Sequence, residues 1–367
     1  MKEISIEELL HKGCGNLIDV RSPAEYARDT IPGACNVPLF SDEERAQVGI
    51  TYKQEGQAAA QWLGMQIVAP KMERLMRAIR ERAEETSEVP TIFCWRGGMR
   101  SKAMATFASF SGLPVQRLIG GYRAYRKHVV HTFEPYQLHA PVVLLHGLTG
   151  VGKTELLRRL EERGLPVLDL ERMAGHRGSV FGHIGYGKPA NQKMFDARLF
   201  ETLRQYPDAP FFLMEAESRR IGNALLPPFL MEAKQTAYHL FLRAPLDVRV
   251  ERLYADYVAP YAHRSDFRES ILQAYRTIAG KIPTEQSRLL AEAIKREDYR
   301  QAITSLLLYY YDPRYQNKRN TYTGPFTEID ATSLEAAEAA TIHFLKATFT
   351  DQKIYGGISR GQLDVLQ

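Results

Sequence analysis

Two glycine-rich loops in this 367-residue chain carry the residue types that could do chemistry. In the run from Val142 to Thr154, an apolar segment leads into a glycine turn that ends in Lys-Thr. This is the G-x-x-x-x-G-K-[ST] pattern in its strand–loop–helix context. Loop amides and a helix N-terminus bind phosphate oxygens, the lysine reaches the outer phosphate, and the hydroxyl binds Mg²⁺. The pattern predicts a site for a polyphosphate, whose identity it leaves open, formed by Gly147, Thr149, Gly150, Gly152, Lys153 and Thr154.

The second loop presents a cysteine at the end of a predicted strand, residues 90–95. Cys94 is followed by two glycines and then by a helix predicted from Arg100 to Phe110. Sites in open α/β sheets lie at the carboxyl ends of strands. Loop amides, the helix N-terminus and the two arginines Arg96 and Arg100 would stabilise a thiolate and hold an oxyanion beside the sulfur. We predict these three side chains to be catalytic, and Cys14 and Cys35 to be small hydrophobic residues.

Further polar residues follow the later predicted strands. Strand 165–170 ends near Asp169, and strand 211–217 brings acidic residues to the position of a Walker B carboxylate. The string Gly-His-Arg-Gly-Ser from Gly175 indicates a loop shaped around an anion or a base. The candidate metal or substrate ligands are Asp169, His176, Arg177, Ser179, Glu215, Glu217, Arg219 and Arg220.

Predicted strands and helices along the chain indicate an α/β fold. We expect two domains, because the chain is long for a single hydrophobic core. Strands are expected at 16–21 and 238–243 in addition to those above, with helices at 71–85, 267–280 and 284–311 and a last helix capped by Thr332–Glu335. We place the first domain at residues 1–130, a linker at 131–140, and a P-loop domain with a helical C-terminal region at 141–367.

The composition of the chain restricts the possible partners and compartment but does not identify a function. The net charge of +5 allows a nucleic-acid partner without demanding one. Three cysteines cannot form a disulfide framework and indicate a reducing compartment. The N-terminus lacks a signal-peptide core and no apolar run approaches membrane-spanning length, so we expect a cytoplasmic protein without a membrane partner.

Two basic and aromatic clusters could face RNA. One is the segment Gly120–His128, and the other places Arg314, Lys318 and Arg319 among the tyrosines of 309–315. Arginine beside tyrosine can stack bases and bind phosphates. A solvated helix face beside core tyrosines would give the same pattern, and the sequence leaves both interpretations open.

The first third of the chain resembles the rhodanese family. The resemblance rests on Asp19–Tyr26, on Ile31–Ala34 and on the loop Cys94-x-x-Gly97-x-x-Arg100. It implies a loop cysteine that carries sulfur or selenium. Together with the P-loop segment, Gly175–Ser179 and Glu215–Gly222, nearly the whole chain resembles the tRNA 2-selenouridine synthase family.

That second resemblance implies a tRNA-modifying transferase that acts on wobble 2-thiouridine. Geranyl diphosphate would alkylate the sulfur, and selenium from selenophosphate would then replace the S-geranyl group. It implies geranyl diphosphate and selenophosphate as co-substrates, and tRNA and a selenophosphate-producing enzyme as partners. Mg²⁺ is expected from the residues themselves, on Thr154 with Asp169 or Glu215. The residues alone leave two rivals: an ATP-dependent kinase or thiolation enzyme with a Cys94 persulfide, and a non-catalytic sulfur carrier or RNA-binding adaptor.

Overall fold

The computed structural model describes residues 2–177, 181, 189–314, 322 and 324–349. The chain divides into two compact units. Unit 1 comprises Met1–Tyr136 with Lys193–Glu201, and unit 2 comprises Gln137–Gln192 with Thr202–Gln367. Each unit contains a parallel five-stranded sheet with helices between its strands, so the predicted α/β class is confirmed.

Unit 1 is built on a sheet with the strand order β1-β5-β4-β2-β3. The residues of β2 and β4 are fully buried, as expected for short central strands of a parallel sheet that helices cover. Its elements are β1 (Lys2–Ile4), α1 (Ile6–Lys12), β2 (Leu17–Asp19), α2 (Pro23–Arg28), β3 (Cys35–Asn36), α3 (Asp42–Gln54), α4 (Gln57–Val68), α5 (Met72–Thr86), β4 (Thr91–Phe93), α6 (Met99–Phe110), β5 (Gln116–Leu118) and α7 (Gly121–Phe133).

Local sequence patterns predicted several of these elements at the correct residues. Ser22, Pro23 and Glu25 form the start of α2 with a capping box, as predicted. The predicted strands at 16–21 and 90–95 are both present, each shortened to three residues. Strand β1 and the helical pair α3 and α4 were not predicted.

Unit 2 has a second parallel sheet, with the strand order β12-β11-β6-β8-β7. The two central strands β6 and β8 are buried, and β9 pairs with β10 in a separate antiparallel hairpin. Its elements are β6 (Val142–Gly147), α8 (Lys153–Glu162), β7 (Val167–Leu168), α9 (Leu170–Ala174), α10 (Gln192–Gln205), β8 (Phe212–Glu215), β9 (Arg220–Ile221), β10 (Ala224–Leu225), α11 (Pro228–Ala233), β11 (Tyr238–Arg243), α12 (Leu246–Tyr257), α13 (Phe267–Arg276), α14 (Thr284–Lys295), α15 (Tyr299–Leu306), β12 (Phe326–Asp330) and α16 (Leu334–Phe349).

The helical region of unit 2 corrects one prediction. A single helix over 284–311 is wrong, because the chain breaks between α14 and α15. Glu297 adopts a positive φ of 60°, and Asp298 caps α15 by accepting a hydrogen bond from the amide of Gln301 at 3.1 Å. The chain continues from α15 into a π-helical segment, Leu307–Tyr311. The predicted start of α16 is confirmed, since Ser333 Oγ accepts from the amide of Ala336.

The first half of α10 belongs to unit 1 rather than to the P-loop unit. Asp196 lies 2.7 Å from Arg126 of α7, and Tyr125 donates to Glu201 at 3.0 Å. Phe200 joins the core that α7 forms with the sheet. Helix α7 itself runs through Phe133, three residues into the segment we expected to be a linker. None of the helices described here is both long enough and apolar enough to span a membrane.

Candidate functional site

The loop cysteine lies at the carboxyl end of β4, as the sequence predicted. Cys94 is buried, with 3% of its surface exposed. Its thiol donates to Ser101 Oγ at 3.2 Å, and Ser101 Oγ in turn donates to the carbonyl oxygen of Gly98 at 3.2 Å. Both partners belong to the start of α6, so the sulfur is held at a helix N-terminus.

Backbone packing holds this loop in place. The carbonyl of Cys94 accepts from the amide of Tyr122 at 2.9 Å, and that of Trp95 accepts from Arg123 at 2.9 Å. Gly121 has a φ of 56°, and a Cβ there would lie 2.1 Å from the Cys94 carbonyl oxygen. The loop therefore depends on a glycine in the neighbouring helix that the sequence pattern did not mark.

The two arginines predicted beside the sulfur have different surroundings. Arg96 is exposed. Arg100 pairs with Glu25 of α2 through both of its terminal nitrogens, one of them at 3.2 Å. Burial alone would raise the pKa of Glu25, but hydrogen bonds and charge from Arg100 lower it below its ordinary value. Arg100 is thus already neutralised in part, and Arg96 is the arginine of the loop that faces solvent.

The P-loop has the geometry that its sequence predicts. Strand β6 ends at Gly147, α8 begins at Lys153, and Gly150 and Gly152 adopt positive φ values of 82° and 94°. Lys153 Nζ donates to the carbonyl of Gly147 at 3.2 Å, folding the side chain back over its own loop. Thr154 Oγ1 donates to Glu215 at 2.6 Å, at the carboxyl end of β8.

Two arginines of α12 donate hydrogen bonds to backbone carbonyls of this loop. Arg249 donates to the carbonyl of Thr149 at 2.8 Å and pairs with both carboxylate oxygens of Asp312, at 2.6 and 3.0 Å. Arg252 donates to the carbonyl of Val151 at 2.8 Å. Both arginines therefore fix the backbone of the loop.

Three carboxylates meet beside Thr154. Glu171, Glu215 and Glu217 each place an oxygen within 4.8 Å of the others. Burial, and next the neighbouring Glu215, raise the pKa of Glu171. Burial also raises the pKa of Glu215, although Lys153 opposes that rise. Clustered carboxylate oxygens beside a hydroxyl are the hard ligands that Mg²⁺ prefers, so this donor set fits the expected cation.

Glu171 replaces Asp169 in this cluster. Asp169 instead caps α9 by accepting from the amide of Arg172 at 2.9 Å, although it also lines the cavity described below. Glu171 was missed by the sequence reasoning because it lies inside a short helix rather than at a strand end. The available signal was the string Asp-Leu-Glu directly after β7.

The remaining predicted ligands divide into three groups. Arg177 lines the cavity and lies over the ring of Tyr257, 4.4 Å from its centroid. His176 packs against Gly222 beside the β9–β10 hairpin, and Arg219 and Arg220 are exposed on that hairpin outside the cavity lining. Ser179 lies outside the described residues.

A cavity of about 560 Å³ opens from the P-loop into the helical region of unit 2. Its polar end is lined by Lys153, Thr154, the three glutamates and Arg177. The lining residues from α13, α14, α15 and the π-helical segment are mostly aliphatic, with Tyr299 and Tyr311 among them. The aliphatic residues are Ile271, Ile294, Ala302, Ile303, Leu306 and Leu307. One enclosure thus joins a phosphate-binding loop to an apolar chamber.

The basic clusters are only partly surface features. Tyr122 and Tyr125 of the first cluster are fully buried, and Arg126 is paired with Asp196. Arg123 and Lys127 remain exposed. In the second cluster Tyr310 is buried under Arg314, which lies 3.7 Å from its ring centroid. Lys318 and Arg319 lie outside the described residues.

A protein in which a rhodanese-like domain precedes a P-loop domain is the class that this fold defines. The family described as rhodanese-like domain matches residues 5–128, and that described as tRNA 2-selenouridine synthase AAA domain matches residues 140–336. The chain belongs to the tRNA 2-selenouridine synthase family.

Relatives named tRNA 2-selenouridine synthase match most of this chain. That of Bordetella bronchiseptica is 34% identical, over 87% of this chain and 94% of the relative. That of Hahella chejuensis is 34% identical over 82% and 84% of the two chains, and that of Pseudomonas fluorescens Pf0-1 is 35% identical over 84% and 89%. The similarity therefore extends across both units.

Proposed function

We propose that this protein is a tRNA-modifying transferase that converts wobble 2-thiouridine to 2-selenouridine. Geranyl diphosphate and selenophosphate are its co-substrates. Membership of the tRNA 2-selenouridine synthase family supports the overall conversion. The observation that carries the choice of geranyl diphosphate is the single cavity with a P-loop at one end and an aliphatic chamber at the other.

The chamber favours a prenyl chain over a nucleotide base. A base needs hydrogen-bond partners for its edges. The aliphatic lining residues Ile271, Ile294 and Leu306 offer none, and hydroxyl groups enter this part of the lining through Tyr299 and Tyr311. A ten-carbon chain gains about 0.8 kcal/mol for each methylene that it buries. A geranyl group in the chamber would place its diphosphate at the P-loop, where the phosphate ligands are.

In the first step the sulfur of 2-thiouridine attacks the first carbon of the geranyl group. The C–S bond forms, the C–O bond to diphosphate breaks, and the nucleobase loses its N3 proton. Negative charge develops on the leaving diphosphate, so loop amides and Lys153 act by stabilising that charge. Arg249 and Arg252 keep the loop amides in position through its carbonyls.

A Mg²⁺ ion would be held by Thr154 and by the carboxylates of Glu171, Glu215 and Glu217. When bound, it would add positive charge near the leaving diphosphate. The carboxylates would otherwise repel the diphosphate, which is a further reason to expect a cation between them.

In the second step selenophosphate and water convert the S-geranyl nucleoside to 2-selenouridine, geranylthiol and phosphate. We assign the handling of selenium to Cys94, whose sulfur lies at the start of α6. Backbone amides at that helix end, and Arg96, would hold the phosphate oxygens of the donor. Arg100 would take part by keeping α2 and the loop together through Glu25.

The test uses purified protein and tRNA that contains 2-thiouridine. We expect geranyl diphosphate alone to yield the S-geranyl nucleoside, and added selenophosphate to yield 2-selenouridine, both measured by mass spectrometry of nucleoside digests. Product formation that needs ATP and ignores geranyl diphosphate would favour the ATP-dependent rival. Binding of tRNA with no product under either condition would favour the adaptor.

A further inference from the structure

The apolar chamber is built from helices packed in a fixed order. Helix α12 holds the P-loop, α15 packs against α12, α14 packs against α15, and α13 packs against α14. Ala302 lines the cavity from α15, Ile294 from α14 and Ile271 from α13. In this order of contacts, α15 lies between α12 and the pair α13 and α14, which places that pair on the side of the chamber away from α12.

This inference rests on the function proposed above. We propose that Ile271 and Ile294 close the far end of a prenyl-chain site and that Ala302 leaves the space that the chain fills. Together these three side chains set the longest prenyl diphosphate that the protein accepts.

The far wall is suited to measure length because it is densely packed. Ile294 is fully buried and Ile271 is 8% exposed, and both belong to one core cluster. β-Branched side chains have few rotamers, and packed interiors do not yield to an added methylene without cost. A chain one isoprene unit too long would therefore have to displace this wall.

The P-loop, where the diphosphate of the prenyl chain would bind, is also fixed relative to the chamber. Arg249 joins the P-loop carbonyl of Thr149 to Asp312, which directly follows the π-helical segment. Leu307 and Tyr311 of that segment line the cavity. The loop that holds the diphosphate is thus tied to one wall of the chamber, so chain length is measured from a defined point.

Ala302 is the position at which space can be removed. It is 4% exposed, and its methyl group lines the cavity from the middle of α15. Leucine or valine at this position would project extra carbons into the chamber while leaving the helix intact. Matched control positions exist on α14, where Ala293 and Leu290 lie in the same core cluster without lining the cavity.

The experiment measures kcat/KM with dimethylallyl, geranyl and farnesyl diphosphates on tRNA that contains 2-thiouridine. We expect Ala302→Leu to shift the geranyl-to-dimethylallyl ratio at least tenfold towards the shorter chain, with Ala302→Val as a milder variant. We expect Ile294→Ala to shift the farnesyl-to-geranyl ratio at least tenfold towards the longer chain. One methylene in an apolar pocket typically changes selectivity by about 10- to 200-fold.

Ratios within one variant remove the effect of lost stability, and Ala293→Leu and Leu290→Ala control for altered packing. Ratios in the controls within about twofold of the original protein would support the assignment. Ratios in Ala302→Val and Ile294→Ala that match the controls would overturn it, while geranylation by the original protein would leave the proposed function standing. No S-prenyl product from the original protein with any of the three diphosphates would overturn both proposals.

Discussion

The two glycine-rich loops occupy the same place in two similar sheets and are stabilised in different ways. Each follows a central parallel strand, β4 or β6, and leads into a helix. The cysteine loop is held by backbone contacts to α7, and its reactive atom is buried within it. The P-loop is held from behind by side chains of α12, and its front faces a large cavity.

This difference fits the roles that we propose for the two loops. A loop that presents one sulfur atom and a few hydrogen-bond donors can close tightly around its own side chain. A loop that binds and releases a large ligand must leave its ligand-facing side open, so the residues that support it have to contact its other side. The comparison predicts that the two loops fail differently when they are altered.

Replacing the sulfur should give the largest effect. Cys94→Ser keeps nearly the same shape but offers a protonated hydroxyl in place of a soft nucleophile. We expect 2-selenouridine to fall below detection while the S-geranyl nucleoside accumulates, as measured by mass spectrometry of the tRNA nucleosides. Selenouridine at the original rate would remove Cys94 from selenium handling. Loss of the geranylated product as well, in a folded protein that still binds tRNA, would show that the two chemistries are not separable.

The matching change in the P-loop should stop the reaction one step earlier. Lys153→Ala removes a donor to the leaving diphosphate, which typically lowers a rate by about 10²- to 10³-fold. Unmodified 2-thiouridine should then remain in the tRNA. Geranyl diphosphate at about 100 times its Kd should stabilise the original protein by about 2.7 kcal/mol, and the variant markedly less at the same concentration. Equal stabilisation of both would show that Lys153 does not contact the ligand.

Removing the support of the P-loop should cost global stability. Arg249→Met leaves the carboxylate of Asp312 without its partner in a site where the arginine side chain is only 4% exposed. Breaking a buried pair from one side typically costs about 3–5 kcal/mol, measured here by urea unfolding. Arg264→Met, which breaks a solvent-exposed pair with Asp266, should lower the free energy of unfolding far less. Equal costs would mean that Arg249 does not support the loop.

The cysteine loop should depend less on its ion pair. Glu25→Gln retains the capping geometry but removes the charge opposite Arg100, at an expected cost of about 1 kcal/mol at pH 7. The lowered pKa of Glu25 means that its contribution is present above the unfolded value of about 4.3 and is lost as the pH falls towards the folded value. The melting temperatures of variant and original protein should therefore start to converge below about pH 4.3 and become equal once the pH has fallen through the lowered folded-state pKa. A gap that widens on acidification would contradict this assignment.

The smallest effect concerns tRNA affinity. Neutralising Arg123 and Lys127, which are exposed, should flatten the log–log salt dependence of binding by about 0.7–0.9 for each phosphate contact that is lost. Arg126→Gln is the internal comparison, because that arginine is paired with Asp196. An unchanged slope in the double variant would place the RNA on another surface.

The two loops could be predicted because each is encoded by residues that are consecutive in the sequence. Strand β6, the glycine turn and α8 follow one another directly, and Ser22 to Glu25 encode their own cap. Glu171 was missed because its place in the carboxylate cluster depends on tertiary structure, which brings the short helix α9 close to Glu215 and Glu217. The break at Glu297 was missed because the apolar residues on either side keep a helical period.

The apolar chamber could not be predicted from the sequence, because cavity-lining residues and core residues have the same pattern. Ile294 lines the cavity and Leu290 fills the core, yet both are buried aliphatic residues on the same helix. A periodic pattern identifies the buried face of a helix, but it does not say whether a neighbouring helix or an empty space lies opposite. The tyrosines of α7 show the same ambiguity, since Tyr122 and Tyr125 proved to be core residues.

The division of α10 between the two units bears on where such a chain can be truncated. A gene fragment that encoded only residues 1–136 would lack Phe200 and Ala197, which complete the core around Tyr125 and Val129. Its product would expose that apolar surface and leave Arg126 without Asp196. Truncation at the apparent domain boundary would thus yield a fragment that is prone to aggregate, because a contiguous apolar patch would face solvent.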